Sequence, residues 1–214
     1  MKIIITGACG HIGSYLISNI YKIKKVKKII LIDSFYSNRY WPIFNLKNNK
    51  IFSFYQIDIS KPNSLDKFKK VDLVIHCASF TNAENSFSIK NEMYKNNLGC
   101  MKNVVNFCVK SKAKLFHFSS TSVYGKQTSI VSEKDEKFLK PQSPYAEIKL
   151  IEEKLLKMNR NKLNYMTYRL GTIAGVSKGM RFHTAINKFC LNAGLNRKIE
   201  VIKLLTISID LIFL

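Results

Sequence analysis

Short apolar runs alternate with helical patterns along this chain. Lys2 to Thr6 reads as a buried strand, followed by a glycine turn and a helix over about His11 to Tyr21. Lys28 to Asp33 predicts a second strand and Ile51 to Gln56 a third. Lys61-Pro62-Asn63-Ser64 reads as the start of a short helix, because proline is favoured in a first turn. Asp72 to His76 predicts a fourth strand, Asn91 to Lys110 a long helix and Leu115 to Ser119 a fifth strand. After an irregular stretch, Gly125 to Ser143, come a helix over Pro144 to Met158, a sixth strand over Tyr165 to Leu170 and a helix over about Arg181 to Ala193. The strands are continuous apolar runs, so both faces of their sheet must be covered. Strand–helix alternation with right-handed crossovers then gives an α/β, doubly wound parallel sheet, the dinucleotide-binding arrangement.

With 214 residues and 46% hydrophobic content, the chain can build one packed domain and part of a second. The division is placed at 1–175 and 176–214. Ile3 to Ile5 is too short for a signal-peptide core. The apolar stretch Ile199 to Leu214 carries Glu200, Lys203 and Asp210, and its 16 residues fall short of the roughly 20 that cross a bilayer. A cytoplasmic protein with no membrane partner is expected. The chain ends Ile-Asp-Leu-Ile-Phe-Leu, with no polar cap and no evident partner strand. That end suggests a truncated or frameshifted gene product, the alternative being a short variant that dimerises through its tail.

Five cysteines with no Cys-x-x-Cys pair argue for reduced thiols, against a disulfide framework and against a metal site. The formal charge of +21 raises the possibility of nucleic-acid binding. The basic residues are mostly lysines scattered among asparagines and isoleucines, as an AT-biased coding sequence would give, so no nucleic-acid partner is expected.

Chemistry enters with the first turn. Gly7, Gly10 and Gly13 stand between a strand and a helix, where glycines let a pyrophosphate approach backbone N–H groups at the positive end of the helix dipole. Asp33 closes the second strand 20 residues after Gly13. A carboxylate there accepts ribose hydroxyls and repels a 2′-phosphate, which favours NAD. Arg39, close behind, complicates that preference. Asp58 could reach an adenine amino group with Ile59 against the ring; a plain turn aspartate is the alternative. Tyr145 and Lys149 are four residues apart on one helix face. A free tyrosine, with a pKa of about 10, is a poor base at neutral pH; a neighbouring ammonium and a cationic nicotinamide would lower that value. Lys149 can also hydrogen-bond the nicotinamide ribose. The strand end Phe118 to Gly125 is rich in hydroxyls that can hold a substrate oxygen, or merely cap a turn.

Together these residues resemble the extended short-chain dehydrogenase/reductase family, within it the nucleotide-sugar epimerases and dehydratases. The resemblance covers about residues 1–195. It rests on Thr6 to Gly13, Asp58-Ile59, Val74 to Ala78, Asn96 to Gly99, Ser119 to Gly125, Ser143 to Lys149 and Tyr168 to Gly175. It implies a cofactor site of Gly7, Gly10, His11, Ile12, Gly13, Asp33, Asp58, Ile59, His76, Ala78 and Asn96, with Tyr145 and Lys149 also touching NAD. It implies Ser120, Tyr145 and Lys149 as the catalytic set. The reaction implied is transient oxidation of a sugar hydroxyl, with the hydride returned to the opposite face. Related dehydratases and decarboxylases carry an acid just after the catalytic Ser/Thr; here Thr121 and Ser122 follow, which fits an epimerase. Thr172 stands where the family often has an asparagine contacting the nucleotide sugar, and Arg181 is a candidate grip on the substrate diphosphate. The expected partner is a nucleotide-diphosphate sugar. A homodimer through the Tyr145 helix and the long helix before it is implied by analogy. An idle NAD-binding protein and another activity of the same family remain open.

Overall fold

The computed structural model describes residues 1–44, 46, 49–81, 86–127, 130–134, 136–182, 184–199 and 211–213. Among them, one sheet contains β1 (Lys2–Thr6), β2 (Lys28–Asp33), β3 (Phe52–Gln56), β4 (Leu73–His76), β5 (Lys114–Ser120) and β6 (Tyr165–Leu170). Its order is β3-β2-β1-β4-β5-β6, and every pairing is parallel. The order reverses between β1 and β4, so crossovers diverge there and leave a crevice at the carboxyl edge of the sheet.

Alternate strand residues feed two cores. Ile4, Ile30, Val74 and Leu115 point toward α2 (Lys90–Ser111) and α3 (Pro144–Met158), where they meet Met101, Val104 and Leu156. Ile3, Ile5, Ile29 and Leu31 point to the other face, under α1 (His11–Ile20). Each fully buried residue of this size contributes roughly 1.5–3 kcal/mol. The continuous apolar strands are therefore explained: both faces of the sheet are interior.

Three features differ from expectation. Residues 62–67 form consecutive turns rather than a helix. Asn63 and Lys70 take left-handed backbone angles, φ 59° and 53°, and the bonds Asp66 N–H to Asn63 O and Phe68 N–H to Leu65 O close turns. The helix expected from Arg181 is α4 (Ala185–Gly194); Asn187 Nδ2 donates to Arg181 O at 2.8 Å and holds that backbone outside the helix. Finally, the tail does find a partner strand: β8 (Leu211–Phe213) pairs parallel with β7 (Thr172–Ala174). A three-residue pairing made between distant segments leaves no local pattern to read. The remainder of the tail, 200–210 and 214, lies outside the described residues, as do 128, 129 and 135 of the irregular stretch. No helix among the described residues is long and apolar enough to cross a membrane.

Candidate functional site

The glycine turn is shaped by close approach of backbone. Gly7 has φ +62°, and a Cβ there would meet Ala78 N at 2.6 Å. At Gly13 a Cβ would come 2.3 Å from Gly7 O. Gly10 is the N-cap of α1, and the first turn holds neither an acidic residue nor a side-chain cap, so the positive end of the helix is open to an anion. Asp33, at the end of β2, clamps the turn: its carboxylate accepts from Cys9 N–H and from Phe35 N–H, both at 2.9 Å.

A cavity of about 240 Å³ opens beside the turn, at the reversal of strand order. Gly7, Gly10, Asp33, Asp58, Ile59, Ala78, Asn96 and Arg181, all singled out from the sequence, line it. Arg39 lines it too. Neither arginine has an ion pair among the described residues. Burial, then the charge of Arg39, lowers the Arg181 pKa, a state that an anion would relieve. Asp58 also serves its own turn, accepting from Ser60 N–H at 2.9 Å. Asn96 donates to Asn97 Oδ1 at 2.9 Å. It is the buried Asn97 that braces the cavity wall, accepting from Phe80 N–H at 2.8 Å and donating to Phe80 O at 3.0 Å.

The remaining predicted residues stand off this wall. His11 is buried with Nε2 3.0 Å from Gly175 O, and Gly13 and Ile12 lie within α1. His76 is buried beneath the sheet edge, Nδ1 2.7 Å from Thr6 Oγ1; its neighbours Cys77 and Ala78 reach the cavity instead. Thr172 sits in β7.

Ser120, Thr121, Tyr145 and Lys149 form a second group. Ser143 caps α3, accepting from Ala146 N–H at 3.2 Å, and Pro144 fills the first helical position, so Tyr145 is fixed in the opening turn. This helix packs on the short turn 121–124 that follows β5. Ser120 Oγ caps that turn, accepting from Ser122 N–H at 3.2 Å and from the Ser122 hydroxyl at 2.9 Å. Both its acceptor positions are engaged, which leaves its own O–H as a donor. Lys149 Nζ is 5.8 Å from the Tyr145 ring centroid and donates to Glu152 Oε2 at 2.8 Å. Glu152 Oε2 also lies 2.9 Å from His117 Nε2. Glu152 and His117 escaped the sequence reading, since charged residues three apart on a helix look like a solvated pair. Below Ser119, Glu153 takes both Nε and Nη2 of Arg169, at 3.0 and 2.7 Å, and Arg169 Nη1 reaches Tyr124 Oη at 2.8 Å. That bidentate pair ties β6 to α3, and the bond to Tyr124 ties β6 to the turn that Ser120 caps. The thiol of Cys77 is pushed up to about 12 by burial, so it is no nucleophile at neutral pH.

The chain is 30% identical over 199 residues to the uncharacterized UDP-glucose epimerase YtcB of Bacillus subtilis, covering 88% of this chain and 62% of that protein. It spans less than two thirds of the length of that relative. The UDP-glucuronic acid 4-epimerase of Bacillus cereus, solved with UDP-glucuronic acid and NAD, superposes with a TM-score of 0.86 at 26% identity, covering 100% of this chain and 69% of that one. The UDP-N-acetylglucosamine 4-epimerase of Methanobrevibacter ruminantium M1 shares the fold, with a TM-score of 0.87 at 22% identity over 99% of this chain and 68% of that one. A family model for the NAD dependent epimerase/dehydratase family matches residues 3–213, from the first strand to the last, and the chain belongs to that family.

Proposed function

We propose that the chain binds NAD and acts as a nucleotide-sugar epimerase by transient oxidation of a sugar hydroxyl. In this reading 1–175 is the NAD-binding domain and 176–214 belongs to the substrate domain. The residues fit the cofactor. The turn is packed backbone on backbone at Gly7 and Gly13, which keeps it tight, and Gly7, Gly10 and Asp33 line the cavity beside the start of α1, where a pyrophosphate and ribose hydroxyls would lie. Arg39 and Arg181 face the cavity as cations for diphosphate groups. Arg181 lines the cavity with Gly7 and Gly10 and interacts electrostatically with Tyr145, which supports placing a diphosphate it holds toward the Tyr145 end.

NAD, when bound, supplies the acceptor and donor of hydride at the sugar carbon. Tyr145 takes the proton of the sugar hydroxyl and returns it. Lys149, one turn away, stabilises the phenolate by its charge. Ser120, with its own O–H free to donate, steadies the sugar oxygen. The observation that carries the reading is this grouping: a helix presenting Tyr145 over Lys149, packed on the turn that Ser120 caps. Thr121 and Ser122, in place of a carboxylic acid, favour epimerisation over elimination.

The test mixes the 214-residue chain and NAD with UDP-glucose or UDP-glucuronic acid, following product by NMR and cofactor reduction by absorbance. Tyr145→Phe is expected to cost roughly 10²–10⁴-fold in turnover while leaving NAD affinity nearly unchanged. Turnover that survives Tyr145→Phe overturns the mechanism. NAD binding with no sugar-dependent reduction in the parent chain leaves an NAD-binding module instead.

A further inference from the structure

Glu152 lies three residues after Lys149 on the inward face of α3 and is 1% exposed. One of its oxygens is the meeting point of Lys149 Nζ at 2.8 Å and His117 Nε2 at 2.9 Å. A carboxylate sealed between a helix and a sheet is costly unless paired, and an apolar side chain packs there without that cost. Stability alone therefore does not account for the charge.

The groups facing this pair are His76 of β4 and Cys77 just beyond it, Cys100 of α2, His117 of β5, and Tyr145 and Glu153 of α3. Burial keeps both imidazoles neutral and both thiols protonated at neutral pH. Glu153 is committed to Arg169. Glu152 is thus the counter-charge of Lys149.

We propose that Glu152 is a positioning residue for Lys149, anchoring the ammonium beneath Tyr145 and keeping it charged for the tyrosine and the cofactor ribose. The proposal rests on the roles given to Tyr145 and Lys149 above. Burial alone draws the Lys149 pKa down; Glu152 reverses this and the net shift is upward. Without the carboxylate, burial is opposed only by Tyr145 and Cys77, and Lys149 sheds its proton at lower pH.

The experiment measures NAD dissociation constants of the parent, Glu152→Gln and Lys149→Met at about pH 7 and about pH 9.5, with melting temperatures alongside. The parent should bind equally at both values. Glu152→Gln should weaken by about tenfold on going to the higher pH and approach Lys149→Met there, as expected for a lysine that now loses its proton at lower pH. A merely structural role lowers the melting temperature and leaves affinity flat with pH, which overturns the proposal. Should Glu152→Gln not fold, Glu152→Asp keeps the charge on a shorter arm. It should bind NAD several-fold more weakly at both pH values, and parent-like binding overturns the proposal. If Lys149→Met itself binds like the parent, the reading of Lys149 has failed. The question of Glu152 then passes to the ¹³C-labelled Lys149 resonance: an earlier titration in Glu152→Gln supports the anchoring, and an unchanged one overturns it.

Discussion

Beneath the Tyr145 turn, a few buried side chains make the protein sensitive to acid. Burial holds the His76 imidazole down to about 3 from its ordinary 6.5, with the Lys149 ammonium and His117 adding to the effect against the pull of Glu152. Burial on its own would raise the Glu152 carboxyl, but Lys149 and His117 together hold it at about 2, below its ordinary 4.5. As pH falls from 6.5 toward 3, unfolded His76 takes up a proton that the folded protein refuses, so stability declines across that window. The stability that Glu152 contributes is present above pH 4.5 and drains away as pH falls toward 2. Both act in one direction. Thermal unfolding between pH 7 and pH 4 should show a continuous fall in Tm. His76→Asn, which keeps a polar partner for Thr6 and does not titrate, should flatten the upper part of that fall. An unaltered slope in this variant would rule out His76 as the cause.

At the scale of elements, the β1–turn–α1 unit is packed backbone against backbone. A methyl group at Gly13 would overlap Gly7 O at 2.3 Å and Ala8 Cα at 2.8 Å, both backbone, so the turn must open to accept it. At Gly10 the nearest atom is 3.2 Å away and φ is −73°. Gly13→Ala should therefore lower Tm by several degrees and NAD affinity by about tenfold or more, while Gly10→Ala changes Tm little. Calorimetry and an NAD titration of the two variants check the contrast; equal effects on Tm would sink it. This unit was legible in the sequence because everything it needs is local: an apolar run, three glycines and a helix start. The Pro144–Met158 helix was legible for the same reason, its cap, proline and periodicity all lying within a few residues. What the sequence hid depends on distance. The turns at 62–67 include a left-handed angle at Asn63, which no proline near a helix start announces. Which of Asn96 and Asn97 braces Phe80 is decided by which face of α2 is buried. The pairing of β7 with β8, and the sharing of Glu152 between Lys149 and His117, join residues brought together only by the folded sheet.

On the scale of the whole molecule, the cavity draws its wall from many separate stretches: the turn after β1, the segment after β2, the ends of β3 and β4, the start of α2, and Arg181 beyond β7. Backbone bonds join the strand ends, Ala8 N–H to Ile32 O, Ile57 N–H to Asp33 O and Cys77 N–H to Thr6 O, but Arg39 and Arg181, neither with an ion pair among the described residues, repel each other across the space they share. An anionic dinucleotide seated there bridges all of them and cancels that repulsion, so its binding should be felt as global stability. At NAD concentrations near 100 times the dissociation constant, linkage gives about 2.7 kcal/mol. For a chain of this length that is a rise in Tm of roughly 5–10 °C. The rise should shrink in added salt, because part of it is charge attraction toward Arg39 and Arg181. NADP should give a smaller rise, since Asp33 opposes a 2′-phosphate. Differential scanning calorimetry with each cofactor, at low and moderate salt, reads all three. A larger rise with NADP than with NAD would mean that Arg39 outweighs Asp33 and that the cofactor preference runs opposite to the carboxylate at the end of β2.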